Sequence, residues 1–172
     1  MNILFLGAPG SGKSTQGQIL ADKKGMKWVS SGEMFRESKD PRIIEILRTA
    51  QLVPDEITNE MMLEKIRELG GDGILLDGYP RKISQAEFMV ENGMKIDLIV
   101  EIKVSLEEII SRVLSRGREQ DTEEIIRERV NAYEKSRDEI VEFFVERGTR
   151  LIEIEGQGSI EEVAGKVEGA VL

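Results

Sequence analysis

Short apolar runs alternate with longer amphipathic stretches along this chain. Five runs have the length of β-strands, and they cover Asn2–Leu6, Lys27–Ser30, Gly73–Asp77, Asp97–Lys103 and Arg150–Glu155. Runs such as ILFL and GILL do not alternate between apolar and polar residues, which is typical of strands buried on both faces of a parallel sheet. The pattern therefore predicts a buried parallel sheet.

The stretches between these runs carry apolar residues at helical spacing. The predicted helices cover Lys13–Lys24, Asp55–Leu69, Leu106–Ser115, Thr122–Arg147 and Ile160–Val171. Strands that alternate with helices favour a doubly wound α/β domain. Two segments do not fit the alternation, namely residues 30–59, which are largely helical without a strand, and the short connection 116–121. We interpret both as insertions that could lie over a ligand site.

The composition restricts the chemistry open to this single 172-residue domain. The chain has no cysteine and no histidine, which excludes disulfides, thiolate zinc sites and histidine-based acid–base catalysis. Its net charge of −9 disfavours nonspecific nucleic-acid binding, and no apolar run is long enough to span a bilayer. We expect a cytoplasmic monomer or small homo-oligomer. Phosphoryl transfer suits the remaining side chains because it depends on positioning and charge stabilisation.

A glycine-rich segment follows the first apolar run. Residues 7–14, GAPGSGKS, match the phosphate-loop pattern in full, with a strand before the loop and a helix after it. The backbone amides can form a nest around phosphate oxygens, with Lys13 on the β- and γ-phosphates and Ser14 near Mg²⁺. The alternative is an ordinary strand-to-helix turn. The motif indicates phosphate binding but does not distinguish kinases from ATPases, GTPases or regulatory modules.

Charged residues follow at positions that suit a phosphate site. Asp77 ends a buried run, at the edge where α/β sheets bind ligands, and could hold Mg²⁺ through water; a turn-forming Asp before Gly78 is the alternative. Arg81 suits bidentate phosphate contact but could be a solvated surface residue. Arg112 and Arg116 share a helix face. They could clamp a phosphate or form surface salt bridges.

Taken together, these segments resemble the adenylate kinase family over nearly the whole chain. The matching pieces are GAPGSGKSTQ at 7–16, SSGEMFR at 30–36, QLVPD at 51–55, DGYPR at 77–81 with Gln85 beyond it, and the series Arg112, Arg116, Arg118, Asp121 and Arg129. The resemblance implies a P-loop NTPase-like core with a five-stranded parallel sheet, a helical monophosphate-binding insert at 30–59 and a very short lid at 116–121. It also implies reversible Mg²⁺-dependent transfer from ATP to AMP, giving two ADP, and no zinc.

The resemblance also assigns residues to each ligand, and we complete the ATP site with the backbone at 156–158. The residues expected at ATP are Gly10, Ser11, Gly12, Lys13, Ser14, Thr15, Arg112, Arg116, Gly156, Gln157 and Gly158. Those expected at AMP are Ser31, Met34, Arg36, Val53, Gly78, Tyr79, Arg81, Gln85, Arg118 and Arg129. The expected catalytic residues are Lys13, Arg81, Arg112, Arg116, Arg118 and Arg129, and Mg²⁺ is expected near Ser14, Asp77 and Asp121, through water.

Two of these residues have a helix-capping alternative. Ser31 could cap a helix over Gly32–Glu37. Asp121 begins a predicted helix and has Glu124 three residues later, which is capping-box spacing. Capping and nucleotide binding are compatible for Asp121. The resemblance further points to a cis peptide at Tyr79–Pro80, which an X-Pro bond can adopt.

The identity of the acceptor depends on Gln85. Its amide both donates and accepts, which suits an adenine edge, and the resemblance places it where AMP is read; a helix-surface glutamine is the alternative. Pyrimidine kinases of similar architecture have an Asn-containing pattern there. The rival functions are a pyrimidine- or other nucleoside-monophosphate kinase, a small-metabolite kinase, and a nucleotide switch without transferase activity. The DGYPR segment with Gln85 disfavours the second, and the number of arginines disfavours the third.

Overall fold

The sheet has the predicted architecture. The structure is a computed structural model that describes residues 1–48, 53–117 and 121–171. Its strands are β1 (Ile3–Leu6), β2 (Lys27–Ser30), β3 (Ile74–Asp77), β4 (Leu98–Lys103) and β5 (Arg150–Glu155). All neighbours pair in parallel, in the order β2-β3-β1-β4-β5. The predicted five-stranded parallel sheet is confirmed, and each strand begins within one residue of its predicted start.

Helices flank the sheet and fill the insert. They are α1 (Lys13–Lys24), α2 (Ser31–Glu37), α3 (Pro41–Arg48), α4 (Asp55–Glu68), α5 (Ile83–Glu91), α6 (Leu106–Ser115), α7 (Glu123–Val145) and α8 (Ile160–Ala170). The sequence pattern did not predict α5, because its 9 residues are too few to establish a helical period. Among the described helices, none is both long and apolar enough to cross a bilayer.

Apolar side chains cover both faces of the sheet. Leu4 and Leu76 belong to a cluster that includes side chains of α4, α5 and α7. Phe5 and Leu75, one residue away on the same strands, belong to a cluster that includes side chains of α1 and α8. Successive residues of a strand point to opposite faces, so a strand with a core on each side must be apolar throughout. This explains why ILFL and ILLD do not alternate.

A smaller apolar cluster lies beside the phosphate loop. Ala8 of the loop packs with Ile109 and Val113 of α6 and with Ile126 and Val130 of α7. These contacts hold α6 and α7 against the loop. The packing therefore positions the arginines that these two helices carry near the carboxyl edge of β1.

A buried asparagine joins three segments at the opposite edge of the sheet. The Asn2 side chain donates from Nδ2 to the carbonyls of Gly71 and Lys95, each at 3.0 Å. Its Oδ1 accepts from the Ile74 amide at 3.1 Å, and the residue is 4% exposed. Because buried polar groups need partners, these bonds fix how β1, β3 and the start of β4 align.

Replacing Asn2 with Ala should lower the free energy of unfolding by about 1–3 kcal/mol, because the Ile74 amide and two carbonyls lose their partner. Urea denaturation measures this change. The control is Asn92→Ala, which removes an exposed bond to the Phe88 carbonyl and should have a much smaller effect. Equal destabilisation by the two substitutions would show that the buried network does not align the strands.

Candidate active site

The phosphate loop connects β1 directly to α1. Gly10 and Gly12 have φ angles of 91° and 89°, in the left-handed region that favours glycine. A Cβ on Gly10 would lie only 2.5 Å from Cγ2 of Val113, so no larger residue fits there. Because α1 begins at Lys13, its first free N–H groups face the loop. The predicted anion nest at a helix N-terminus has the expected local structure.

The parallel register brings an acid beside the loop lysine. Phe5 of β1 pairs with Asp77 of β3, and Asp77 is 2% exposed. The Lys13 Nζ lies 3.9 Å from Asp77 Oδ1, which is too long for a hydrogen bond. Within the described part of the chain, this buried oxygen has no hydrogen-bond partner. A buried carboxylate oxygen without a partner fits a ligand-binding position better than a turn.

Positive side chains crowd around the same point. Burial lowers the pKa of Lys13 below its ordinary value of 10.5; Asp77 opposes this shift, and the positive charges of Arg81 and Arg116 lower the pKa further. Arg81 is exposed to solvent, as its surface alternative expected, yet partial desolvation of its guanidinium lowers its pKa, with Asp77 opposing this shift. Three positively charged side chains, Lys13, Arg81 and Arg116, thus lie near one carboxylate, Asp77. Phosphate groups would neutralise the remaining positive charge.

The DGYPR loop is fixed by hydrogen bonds to its own backbone. Arg81 Nε donates to the Gly78 carbonyl at 2.8 Å, and Ser31 Oγ from α2 donates to the same carbonyl at 2.7 Å. The Arg81 backbone amide donates to Gln85 Oε1 at 2.7 Å. The Tyr79–Pro80 peptide is cis, as expected. The bond from Ser31 attaches the insert to the loop that carries Arg81.

A second link joins the insert to this loop through Asp55. The Asp55 carboxylate, at the start of α4, accepts from Gln85 Nε2 at 2.9 Å and from Lys82 Nζ at 3.0 Å. Gln85 is 4% exposed, so the surface alternative for this residue is wrong. Asp55 was not among the predicted site residues. Its only sequence signal is its place in QLVPD, which does not reveal a partner thirty residues away.

Arg112 joins the phosphate loop to the turn after β5. Its Nη2 donates to the Gly156 carbonyl at 2.9 Å and its Nη1 to the Ser11 carbonyl at 3.4 Å. Its Nε also pairs with Glu108 at 2.8 Å. The salt bridge and the contact with the loop therefore coexist. Arg112 therefore links the phosphate loop to Gly156, whose backbone is expected near the ATP base.

Arg129 is held by Asp121. The Arg129 Nη1 lies 3.2 Å from Asp121 Oδ1, and the Asp121 side chain is 8% exposed. An acid that is predicted to support Mg²⁺ through water therefore contacts a predicted catalytic arginine. The ion pair holds Arg129 next to Asp121, the last residue of the short connection 116–121.

Both proposed helix caps are wrong by one residue. Ser30, rather than Ser31, caps α2, and its Oγ accepts from the backbone amide three residues later at 3.4 Å. Thr122, rather than Asp121, caps α7 in the same way at 3.3 Å. A cap must have an extended backbone, and Ser30 and Thr122 do, with ψ angles of 118° and 157°. Ser31 and Asp121 are left for other contacts.

The remaining predicted residues differ in how far they are exposed. Met34 and Val53 are half-buried, and Met34 packs against the core. The exposed ones are Ser14, Thr15, Arg36, Arg116, Gln157 and Gly158. Arg118 lies outside the described residues, as do Gln51 and Leu52 of the QLVPD segment. Among the described residues, no three acidic side chains converge as a metal-binding group.

The sheet topology, the loop and the cation cluster place the chain in the class of P-loop nucleotide phosphotransferases. A profile of the adenylate kinase family matches residues 5–149. The chain is 36% identical to the adenylate kinase of Micrococcus luteus, over 98% of this chain and 89% of that one. It is 34% identical to that of Mycobacteroides abscessus, over 99% of both chains. For Corynebacterium glutamicum, the identity is 37% over 95% of this chain and 94% of the relative.

The chain belongs to the adenylate kinase family. The family resemblance found in the sequence is therefore confirmed, and so is the expectation of a nucleoside-monophosphate kinase.

Replacing Lys13 with Met should raise the melting temperature of the nucleotide-free protein while lowering phosphoryl transfer by about 10²–10³. The lowered pKa means that folding disfavours the charged amine. The increase in melting temperature should be largest at neutral pH. It should shrink as the pH approaches 10.5, where lysine loses its charge in the unfolded chain too.

Calorimetry from neutral to alkaline pH tests this prediction. The control is Lys95→Met, because an ion pair with Asp97 raises the pKa of Lys95, so its removal should not stabilise the protein. A lower melting temperature for Lys13→Met throughout this range would contradict the account.

Proposed function

We propose that the chain catalyses reversible Mg²⁺-dependent transfer of the γ-phosphoryl group of ATP to AMP, giving two ADP. The main support is the cation cluster, in which Arg81 and Arg116 lie close enough to Lys13 to lower its pKa. Lys13 belongs to the phosphate loop, whereas Arg81 belongs to the loop that is bonded to the monophosphate insert. Phosphates that approach from two nucleotides would therefore meet at this cluster.

The donor would lie along the phosphate loop. Its phosphates would accept from the amide nest and from Lys13, with Arg112 and Arg116 at the γ-phosphate. The bonds of Arg112 to the Ser11 and Gly156 carbonyls hold its guanidinium between the loop and the expected base site, which supports a contact between Arg112 and the donor nucleotide. Backbone at 156–158 would contact the base, which is consistent with loose donor specificity.

The acceptor would lie between the insert and the DGYPR loop. Arg81 would bind its phosphate, and Gln85 would read its base. Ser31, Met34, Arg36 and Val53, together with Gly78 and Tyr79, would form the rest of the pocket. The bond from Ser31 to the Gly78 carbonyl supports this arrangement, because it joins two of the predicted walls.

The nucleophile would be a phosphate oxygen of AMP, which is already anionic at neutral pH. No general base is then needed, in keeping with a chain that has no histidine. Lys13 and the arginines, including Arg118 and Arg129, would neutralise the charge of the moving group and hold the two nucleotides in line. Closure of the insert and of the connection 116–121 would exclude water.

The family generally uses Mg²⁺ with ATP, and the site has an atom that suits it. Asp77 Oδ1 is buried without a hydrogen bond among the described residues, so it can accept from the water shell of a cation. Ser14 would hold the ion directly or through water, and Asp77 would hold it through water. Asp121 would support it only through water because it pairs with Arg129. Bound Mg²⁺ would neutralise charge on the ATP phosphates.

We also propose that the chain acts on these small-molecule nucleotides in the cytoplasm, without nucleic-acid or membrane partners. The support is its net charge of −9, which would repel polyanions outside the local cation cluster.

Arg81→Ala should lower kcat by about 10²–10³, because a charge-stabilising group at the transferred phosphoryl is lost. The measurement is ATP formation from ADP with Mg²⁺, quantified by chromatography. Arg67→Ala is the control, because Arg67 is an exposed residue near the end of α4 and should leave the rate nearly unchanged. Near-normal turnover of a folded Arg81→Ala variant would exclude the assigned role.

A further inference from the structure

The Gln85 side-chain amide is held at both ends. Its Oε1 accepts from the Arg81 backbone amide at 2.7 Å, and its Nε2 donates to Asp55 Oδ1 at 2.9 Å. A backbone N–H can only donate and an ionised carboxylate can only accept. If the amide turned over, Nε2 would face the Arg81 N–H, which is also a donor. Oε1 would then face the Asp55 carboxylate, which is also an acceptor. The direction of this buried amide is therefore fixed by chemistry.

Asp55 remains ionised in this environment. Burial would raise its pKa, but hydrogen bonds from Lys82, Gln85 and Ser84, together with the charge of Lys82, outweigh burial and lower it. The position at the first residue of α4 also favours a negative charge, because the helix dipole is positive there. Asp55 is thus an acceptor without a proton to donate at neutral pH.

The amide keeps one donor and one acceptor for a ligand. Nε2 has a second hydrogen, and Oε1 has a second lone pair. Adenine presents a donor at its 6-amino group and an acceptor at N1, whereas a 6-oxopurine presents an acceptor at O6 and a donor at N1. An amide that could turn over would form hydrogen bonds with either type of purine. An amide of fixed direction matches only one of them.

We propose that Asp55 is a positioning residue that sets the purine selectivity of the monophosphate site. Together with the Arg81 backbone N–H, Asp55 fixes the direction of the Gln85 side-chain amide, which then admits a 6-aminopurine nucleotide and rejects a 6-oxopurine nucleotide. The inference rests on the proposed function, in which Gln85 faces the base of the acceptor. A 6-oxopurine would be rejected because its O6 would face Gln85 Oε1, acceptor against acceptor, and its N1–H would face Nε2, donor against donor.

Two neighbours of Asp55 supply a matched control. Lys82 Nζ and Ser84 Oγ bind the same carboxylate, at 3.0 Å and 3.3 Å, but they do not contact the Gln85 amide in this network. Removing Lys82 changes the charge beside Asp55 and leaves its bond to Gln85. The selectivity role of Asp55 can thus be separated from the general stability of the cluster.

The test compares AMP with IMP as phosphoryl acceptors from ATP, because IMP differs from AMP only at C6 and in the proton on N1. In Asp55→Asn, the new side chain can present either oxygen or nitrogen to Gln85, so one of the two restraints on the amide is lost and only the Arg81 backbone N–H still opposes the turned-over direction. We expect the ratio of kcat/KM for AMP to that for IMP to fall about tenfold or more. The ratio should stay within about twofold of wild type in Lys82→Met.

A fall in Asp55→Asn but not in Lys82→Met supports the inference. An unchanged ratio in a folded Asp55→Asn variant, even with lower rates for both nucleotides, overturns it, and so does an equal fall in both variants. If Asp55→Asn does not fold, Asp55→Ser is used with the same criterion. A wild-type protein that phosphorylates neither purine would overturn the proposed function as well, and this result is seen before any variant is measured.

Discussion

The register between β1 and β3 determines where charge collects in this molecule. Because Phe5 pairs with Asp77, the strand that enters the phosphate loop lies beside a buried carboxylate. Lys13 then lies 3.9 Å from that carboxylate, with Arg81 and Arg116 close enough to affect its pKa. One anion does not balance three cations. The phosphate groups of a bound nucleotide would neutralise the remaining positive charge.

Hydrogen bonds connect this centre to the segments on either side. Ser31 and Asp55 attach the insert to the DGYPR loop, through the Gly78 carbonyl and the Gln85 amide. On the other side, Arg112 attaches α6 to the Ser11 and Gly156 carbonyls. The DGYPR loop carries Arg81, and α5, which begins two residues later, carries Gln85, the residue proposed to recognise the acceptor base. The hydrogen bond between the Arg81 backbone amide and the Gln85 side chain therefore couples the residue proposed to bind the AMP phosphate to the residue proposed to recognise its base.

Much of this arrangement could be predicted from the sequence, because its signals are local. Unbroken apolar runs predicted the strands, and the glycine pattern predicted the phosphate loop. The capping errors at Ser31 and Asp121 arose because the choice between adjacent polar residues depends on backbone angles. The contact between Asp55 and Gln85 depends on the packing of α4 against a distant loop. Spacing along the chain contains no information about such a contact.

The central claim is that two nucleotides meet phosphate to phosphate in one cleft. Calorimetric titration with two adenosines joined by five phosphates tests it most directly. The account predicts one molecule per chain, bound about a hundredfold or more tighter than ATP or AMP alone, with the affinity reduced by either Lys13→Ala or Arg81→Ala. Two molecules per chain, or an affinity no better than that of ATP, would contradict it.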